Sequence, residues 1–215
     1  MFAHKTFALV ICLLVTGCAS SESSKKPAPA PLAKSAAAPI SKAWLEVFEP
    51  QVREAIKGSH FELERRDDVL VVTAPVQGTF NPDRPSMLLP VTLGPISRIA
   101  KLVEGDQAMA VLLLGHADSS GVLAVNRDLS HQRAKAFSAI FRLSGLRQDR
   151  LLIQGMGSDL PRASNDSAQG RALNRRVEII LTPQPGLRSL LARYNQQVPD
   201  GQVVAKRTIA ADQAE

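Results

Sequence analysis

The feature that most constrains this chain is an apolar run that leads into the patterned polar segment 115–135. The run from Met109 to Leu114 has neither Gly nor Pro and is typical of a buried strand. The polar cluster of residues 118–121 then turns the chain. After the turn, four residues at i, i+3, i+4 and i+7 share one face of a predicted helix: they are Asn126, Leu129, Ser130 and Arg133. We therefore expect a strand, a turn and a helix with a polar face.

Asp118 and Arg133 give this segment one negative and one positive charge. A guanidinium presents a planar fork to a carboxylate, and a carboxylate accepts hydrogen bonds from an ammonium group. Such a pair would suit a zwitterion, for example an amino-acid head group. The alternative is that Asp118 only forms the turn and Arg133 is a solvated charge. Spacing does not decide between them, because the first helical turns must overhang the sheet edge for the two charges to meet.

Two sequence blocks resemble the OmpA-like C-terminal domain, a peptidoglycan-binding family that includes outer-membrane lipoproteins. The first block comprises Gly115, His116, Asp118, Gly121, Asn126, Leu129, Ser130, Arg133 and Ala134; the second comprises Gly170, Arg171, Ala172 and 174–178. Alternating strands and helices by themselves indicate an α/β fold. The resemblance, over about residues 69–183, implies a two-layer sandwich with helices packed on one face of a mixed sheet. Its core would be βαβαβ plus a final strand.

The resemblance also implies a ligand and the residues that hold it. Asp118 and Arg133 would bind the diaminopimelate of the peptidoglycan stem peptide, whose side-chain end carries both an ammonium and a carboxylate. The other implied groove residues are Asn126, Leu129, Ser130, Phe80, Asn81 and Arg176, with Arg176 preferred to Arg175. Ala117 stands where the family usually has Thr, so one hydroxyl beside Asp118 is lost.

Residues 1–17 are typical of a lipoprotein signal peptide. A short basic start precedes the apolar stretch 7–14, which is too short to span a bilayer stably. The small residues before Cys18 resemble a lipobox, which implies cleavage ahead of Cys18 and a lipid on its thiol. An ordinary signal peptide with an incidental Cys is the alternative. Ala19 after the Cys resembles sorting to the outer membrane. Since Cys12 would be removed and Cys18 acylated, we expect no disulfide.

The remaining chain divides into further segments. Residues 18–40 are rich in Ser, Ala, Pro and Lys and predict a tether reaching roughly 60 Å when extended. Residues 41–68 predict an accessory helix and a strand that forms a hairpin with 69–73. Residues 78–83 predict a loop, and Pro95 conflicts with one straight helix after it. Residues 184–215 predict a tail with a short helix at 187–194.

Composition and motifs exclude several classes of function. The net charge is +6, but the basic residues are scattered and no nucleic-acid-binding motif is present. His116, Asp118 and Ser130 are the residue types of a catalytic triad, yet no nucleophile elbow accompanies them. The four histidines lack paired metal-ligand spacing, and no cofactor motif appears.

We therefore predict a lipid-anchored, non-enzymatic outer-membrane protein that faces the periplasm. It would bind peptidoglycan noncovalently and tie the membrane to the cell wall, with other envelope proteins as possible partners. The alternative is a signalling or protein-docking lipoprotein of the same fold.

Overall fold

The computed structural model describes residues 43–198. Their elements, in chain order, are α1 Ala43–Ala55, β1 Glu62–Arg66, β2 Val69–Pro75, β3 Phe80–Asn81, β4 Arg84–Leu88, α2 Pro90–Gly105, β5 Met109–Gly115, α3 Leu123–Leu143, β6 Leu151–Gly155, α4 Ala168–Asn174, β7 Arg176–Pro183 and α5 Leu187–Gln196. The predicted signal peptide, the lipidated Cys18, the tether and the end of the tail lie outside the described residues.

Five strands form the main sheet, in the order β1-β2-β7-β5-β6. β5 and β6 run parallel, while β1 with β2, β2 with β7, and β7 with β5 pair antiparallel. The predicted mixed sheet and the α/β class are therefore confirmed. The hairpin expected around residues 66–69 is present as β1 and β2. The central strand β5 is buried along its whole length, because both of its faces are covered.

The main core lies between one face of the sheet and the helices α1, α2 and α3. Alternate strand residues such as Leu113 and Ile179 pack there against Phe137 and Phe141 of α3. The intervening residues, such as Leu114 and Ile180, face the other way, where Leu187 and Leu190 of α5 cover them. The short helix predicted at 187–194 is thus present, and residues 184–198 belong to the folded domain rather than to a loose tail.

α2 is continuous from Pro90 to Gly105, so Pro95 does not end the helix. Pro90 occupies the first helical position, where a missing N–H costs nothing. Gly94 has no Cβ to clash with the ring of Pro95, which is the usual obstacle to helical geometry before a proline. Pro95 therefore removes a single interior hydrogen bond close to the helix start.

The segment 78–83 is not a simple loop. Phe80–Asn81 pairs antiparallel with β4, so these residues start a small two-stranded hairpin. The Asn81 Oδ1 accepts hydrogen bonds from the backbone N–H groups of Asp83 at 2.8 Å and Arg84 at 3.1 Å. This side-chain bonding closes the tight turn between the two strands. The hairpin packs beside α3 and forms one wall of the candidate functional site.

Candidate functional site

Two glycines bring the start of α3 directly onto the sheet edge. Gly115 and Gly155 lie side by side at the ends of the parallel strands β5 and β6. A Cβ atom on Gly115 would sit 1.9 Å from the carbonyl oxygen of Ser130, and one on Gly155 would sit 2.5 Å from that of Arg127. No larger residue fits at that distance. The first turns of α3 therefore overhang the strand ends, as the meeting of the two charges requires.

Asn126 and Ser130, which we expected in the groove, instead fix the loops around it. The Asn126 amide donates to the carbonyl oxygens of Asp118 at 3.0 Å and Ser120 at 2.8 Å. The Ser130 hydroxyl donates to a carbonyl of its own helix and accepts from the N–H of Gly157 at 3.0 Å. Both side chains are buried and bonded to the loops, so they position the turns after β5 and β6. Leu129 is half-buried and does not line the groove.

The groove itself is a cavity of ≈ 320 Å³ between the β3–β4 hairpin, α3 and the end of α4. It is lined by Val76, Gln77, Gly78, Phe80, Asn81, Pro82, Pro85, Arg133 and Arg175. Phe80 is buried beneath it and packs on Phe137, with 5.9 Å between the ring centroids. The structure thus places three of the predicted site residues, Phe80, Asn81 and Arg133, in one groove.

Arg133 is a nearly buried cation in the wall of this groove. Its side chain is held over the ring of Phe80, with Cζ 5.6 Å from the ring centroid, a cation–π arrangement. Its Nε donates to the carbonyl oxygen of Pro85 at 2.9 Å. Only 5 % of Arg133 is exposed, and none of residues 43–198 accepts a hydrogen bond from its two Nη groups. Burial, with the nearby charge of Arg175, lowers the pKa of Arg133 to about 10, although Asp118 acts in the opposite direction.

Asp118 makes its ion pair with Arg175 rather than with Arg133. The Arg175 Nη1 lies 2.6 Å from the Asp118 Oδ2, and the Ser120 N–H donates to Oδ1 at 2.8 Å. Burial acts to raise the pKa of Asp118, but these hydrogen bonds outweigh it and hold the pKa below its usual value. Asp118 is 7 % exposed, and Arg175 is partly open to solvent. The predicted pair is therefore a cluster of three charges, with Arg133 near the Asp118–Arg175 pair but not bonded to it.

Arg176 does not lie in the groove, so Arg175 takes the position that we assigned to it. The Arg176 Nε donates to the Glu178 Oε1 at 2.9 Å, and its other nitrogens donate to backbone carbonyls. Neighbouring strand residues point to opposite faces of a sheet. Val177, Ile179 and Leu181 of β7 face the core under the helices, and the same alternation, extended back by two residues, places Arg175 on the groove side. That alternation is the sequence signal that identifies Arg175.

Asn174 is a second residue whose role sequence reasoning missed. Its Oδ1 accepts from the N–H groups of Arg162 and Ala163 at 2.7 and 2.9 Å, and its amide donates to the Asn165 Oδ1 at 3.0 Å. That same Asn165 oxygen accepts from the N–H of Ser119. Asn174 thus links the loop before α4 to the turn that carries the Asp118 carboxylate.

His116, Asp118 and Ser130 do not form a catalytic triad in this structure. Neither ring nitrogen of His116 has a hydrogen-bond partner within residues 43–198, and the Ser130 hydroxyl is bonded to backbone groups. Within the same residues, no cluster of His, Cys, Asp and Glu is suited to a metal ion. No described helix has the length and apolar character to cross a membrane.

Comparison with known proteins identifies one matching family and several related sequences. Residues 79–175 match the OmpA family. Probable lipoprotein YiaD of Escherichia coli is 31 % identical over 65 % of this chain and 64 % of its own length. Outer-membrane lipoprotein YfiB of Pseudomonas aeruginosa is 38 % identical over 42 % and 52 %, and peptidoglycan-binding protein ArfA of Mycobacterium tuberculosis is 35 % identical over 44 % and 29 %. The chain thus spans less than two thirds of the length of these relatives.

Solved structures show the same fold. The cell wall anchor of the T6SS from Pseudomonas aeruginosa superposes with a TM-score of 0.54 at 27 % identity, covering 62 % of this chain and 95 % of that one. A putative MotB-like protein from Desulfovibrio vulgaris gives a TM-score of 0.58 at 20 % identity, covering 66 % and 96 %. The second likeness concerns the fold alone.

Proposed function

We propose that this protein, whose residues 79–175 are an OmpA family domain, binds peptidoglycan noncovalently through the groove containing Arg133 and Arg175. The observation that carries the proposal is the Arg133 guanidinium, which is nearly buried and has no described acceptor for its Nη groups. These Nη groups face the groove, where a ligand carboxylate would accept charge-assisted hydrogen bonds from them.

The second half of the site suits an ammonium group. Each carboxylate oxygen can accept two hydrogen bonds. Asp118 uses one at Oδ1 and one at Oδ2 within the described residues, so it keeps the capacity to accept from a ligand. The side-chain end of diaminopimelate offers a carboxylate and an ammonium on one carbon, which would suit Arg133 in the groove and Asp118, the partner of the groove residue Arg175. Support also comes from ArfA, which is named a peptidoglycan-binding protein, and from the T6SS cell wall anchor.

The same proposal includes an anchor in the outer membrane at Cys18. It is supported by the small residues that precede Cys18 and by two relatives named as lipoproteins, YiaD and YfiB. A lipid at one end and a wall-binding domain at the other would tie the outer membrane to the peptidoglycan, with the Pro-rich segment 18–40 as the connection.

Sedimentation with purified sacculi tests the groove. Arg133→Gln removes the free guanidinium, so we expect at least tenfold weaker binding, the size of one lost charge-assisted hydrogen bond. Arg142→Gln is the matched control, because Arg142 is an exposed residue of the same helix. Equal pelleting of both variants, with circular dichroism showing both folded, would refute the proposal.

Sacculi that carry lysine in place of diaminopimelate test the identity of the ligand group. Lysine keeps the ammonium but lacks the carboxylate assigned to Arg133. We expect the unmodified protein to bind these sacculi more weakly, and Arg133→Gln to cause no further loss on them. A full additional loss would show that Arg133 contacts another part of the polymer, since coupled changes are not additive.

A further inference from the structure

The turn between β2 and β3, residues 76–80, connects the two arginines of the groove. Its Val76 N–H donates to the carbonyl oxygen of Arg175 at 2.9 Å. The Val76 carbonyl oxygen accepts from the N–H of Phe80 at 3.0 Å, which closes the turn. Phe80 then provides the ring beneath the Arg133 guanidinium. The position of this turn therefore affects the distance between the two cations.

His60, in the segment between α1 and β1, contacts this turn from outside the groove. Its Nε2 lies 2.9 Å from the Thr79 Oγ1, within hydrogen-bond distance. Thr79 is fully buried, and within residues 43–198 the His60 ring is the hydrogen-bond partner of its hydroxyl. The same ring lies against Gly78, where a Cβ atom would sit 3.4 Å from its Cε1 and Nε2. His60 therefore holds two consecutive residues of the turn.

Aromatic packing fixes the His60 ring and connects it to the groove by a second route. The ring meets Phe61 edge-on, with 5.3 Å between the ring centroids, and Phe61 packs on Phe137 at 6.4 Å. Phe137 in turn contacts Phe80 at 5.9 Å. Because Phe80 lies beneath Arg133, both the turn and the aromatic cluster link His60 to that guanidinium.

We propose that His60 is a positioning residue for peptidoglycan binding, which holds the turn so that both groove arginines reach the same ligand. This inference rests on the proposed function of the groove. His60 does not line the groove, so it acts through the turn and not by contact with the polymer. It also precedes residues 79–175, which match the OmpA family. The accessory segment ahead of the family domain thus contributes to the site.

Sacculus pelleting of His60→Ala tests the positioning role. We expect about three- to tenfold weaker binding, the size of one lost hydrogen bond. His60→Gln should keep most of the affinity, because a glutamine amide can still bond to the Thr79 hydroxyl. His131→Ala is the matched control, since His131 is a half-buried histidine of α3 outside the groove. Equal binding by the two alanine variants, or an equal loss in His60→Gln and His60→Ala, would overturn the proposal.

Coupling to Arg133 separates positioning from a general loss of structure. In an Arg133→Gln background, His60→Ala should weaken binding less than it does in the unmodified protein, because the cation that it positions is already absent. An undiminished loss in that background would show that His60 acts elsewhere and would overturn the proposal.

NMR provides a readout that does not depend on sacculi. The Arg133 Nε–H, which donates to the Pro85 carbonyl, should shift in His60→Ala and stay in place in His131→Ala. An unmoved Arg133 signal in His60→Ala would refute the positioning role. If Arg133→Gln pelleted like the unmodified protein, the proposed function would fail instead, so the two failures are distinguishable.

Discussion

The carboxylate of Asp118 and the guanidinium of Arg175, 57 positions apart in the chain, meet in an ion pair of 2.6 Å. Strand register brings them together. β5 and β7 are antiparallel neighbours with Gly115 opposite Val177, so the residues just after β5 lie beside those just before β7. Arg175 lines the groove while Asp118 does not, so the pair places a second cation near Arg133 in the groove wall.

Replacing Arg175 and Arg176 one at a time should separate an effect on peptidoglycan binding from an effect on stability. Arg175→Gln removes a cation of the groove that is partly open to solvent, so we expect weaker sacculus binding with a smaller loss of stability than for Arg176→Gln. Arg176→Gln leaves Glu178 buried without its closest cation, and we expect a loss of about 3–5 kcal/mol in the free energy of unfolding. Urea denaturation and sacculus pelleting of both variants provide the comparison. If Arg176→Gln weakened sacculus binding and Arg175→Gln caused the larger loss of stability, Arg176 rather than Arg175 would belong to the groove.

Gly115→Ala should destabilise the domain by about 1–3 kcal/mol, the usual cost of overpacking. The new methyl group would lie 1.9 Å from the Ser130 carbonyl oxygen and push α3 off the sheet edge. Gly105→Ala is the control, because a Cβ there meets nothing within 4 Å and an added alanine at the end of α2 is neutral or slightly favourable. Equal stability of the two variants in urea would contradict the close approach of helix and strand.

Acid should destabilise the fold through His116. Burial, followed by the charge of Arg176, lowers the pKa of His116 to about 3 from its ordinary 6.5. As the pH falls from 6.5 towards 3, the unfolded chain therefore binds a proton that the folded chain does not, and the free energy of unfolding decreases. His116→Gln stays neutral at every pH. Its free energy of unfolding should fall by about 2 kcal/mol less than that of the unmodified protein between pH 7 and pH 5.

Chemical unfolding at the two pH values provides this measurement. His131→Gln is the control, because His131 is a half-buried residue of α3, whereas His116 is buried. It should keep the pH dependence of the unmodified protein. Identical pH dependence in the His116 variant would show that the ring is protonated in the folded state.

The two cysteines of the chain allow a test of the proposed lipid anchor at Cys18. Cys18→Ser should abolish metabolic labelling with radioactive palmitate, because the thiol that accepts the lipid is lost. Cys12→Ser should label normally, since Cys12 lies in the segment that we expect to be removed. Persistent labelling of the Cys18 variant would contradict the assignment.

Local patterns predicted most of the fold correctly. The apolar run before Gly115, the helix that follows the turn and the short helix from Leu187 all appear where expected. Each depends on neighbours in sequence, because periodicity reports which face of an element is buried. Pro95 lies inside α2 without ending it, because proline tolerance depends on its distance from the helix start and on Gly94.

The site was predictable only in part. The family resemblance assigned Phe80, Asn81 and Arg133 to the site, and these three residues line one cavity. The sequence did not show that the Asn126 and Ser130 side chains form the hydrogen bonds that hold the loops. Such bonds involve backbone groups of distant turns, which carry no side-chain signature.

The sequence by itself determined an α/β domain, the order of its elements and the polar character of the first turns of α3. Only the tertiary structure decided that Asp118 pairs with Arg175, that the Arg133 Nη groups find no acceptor among residues 43–198, and that Arg176 and His116 line a cavity on the other face. The physical reason is that hydrophobic periodicity is a local property. The partner of a charge is instead set by strand register and by how closely a helix can approach the sheet.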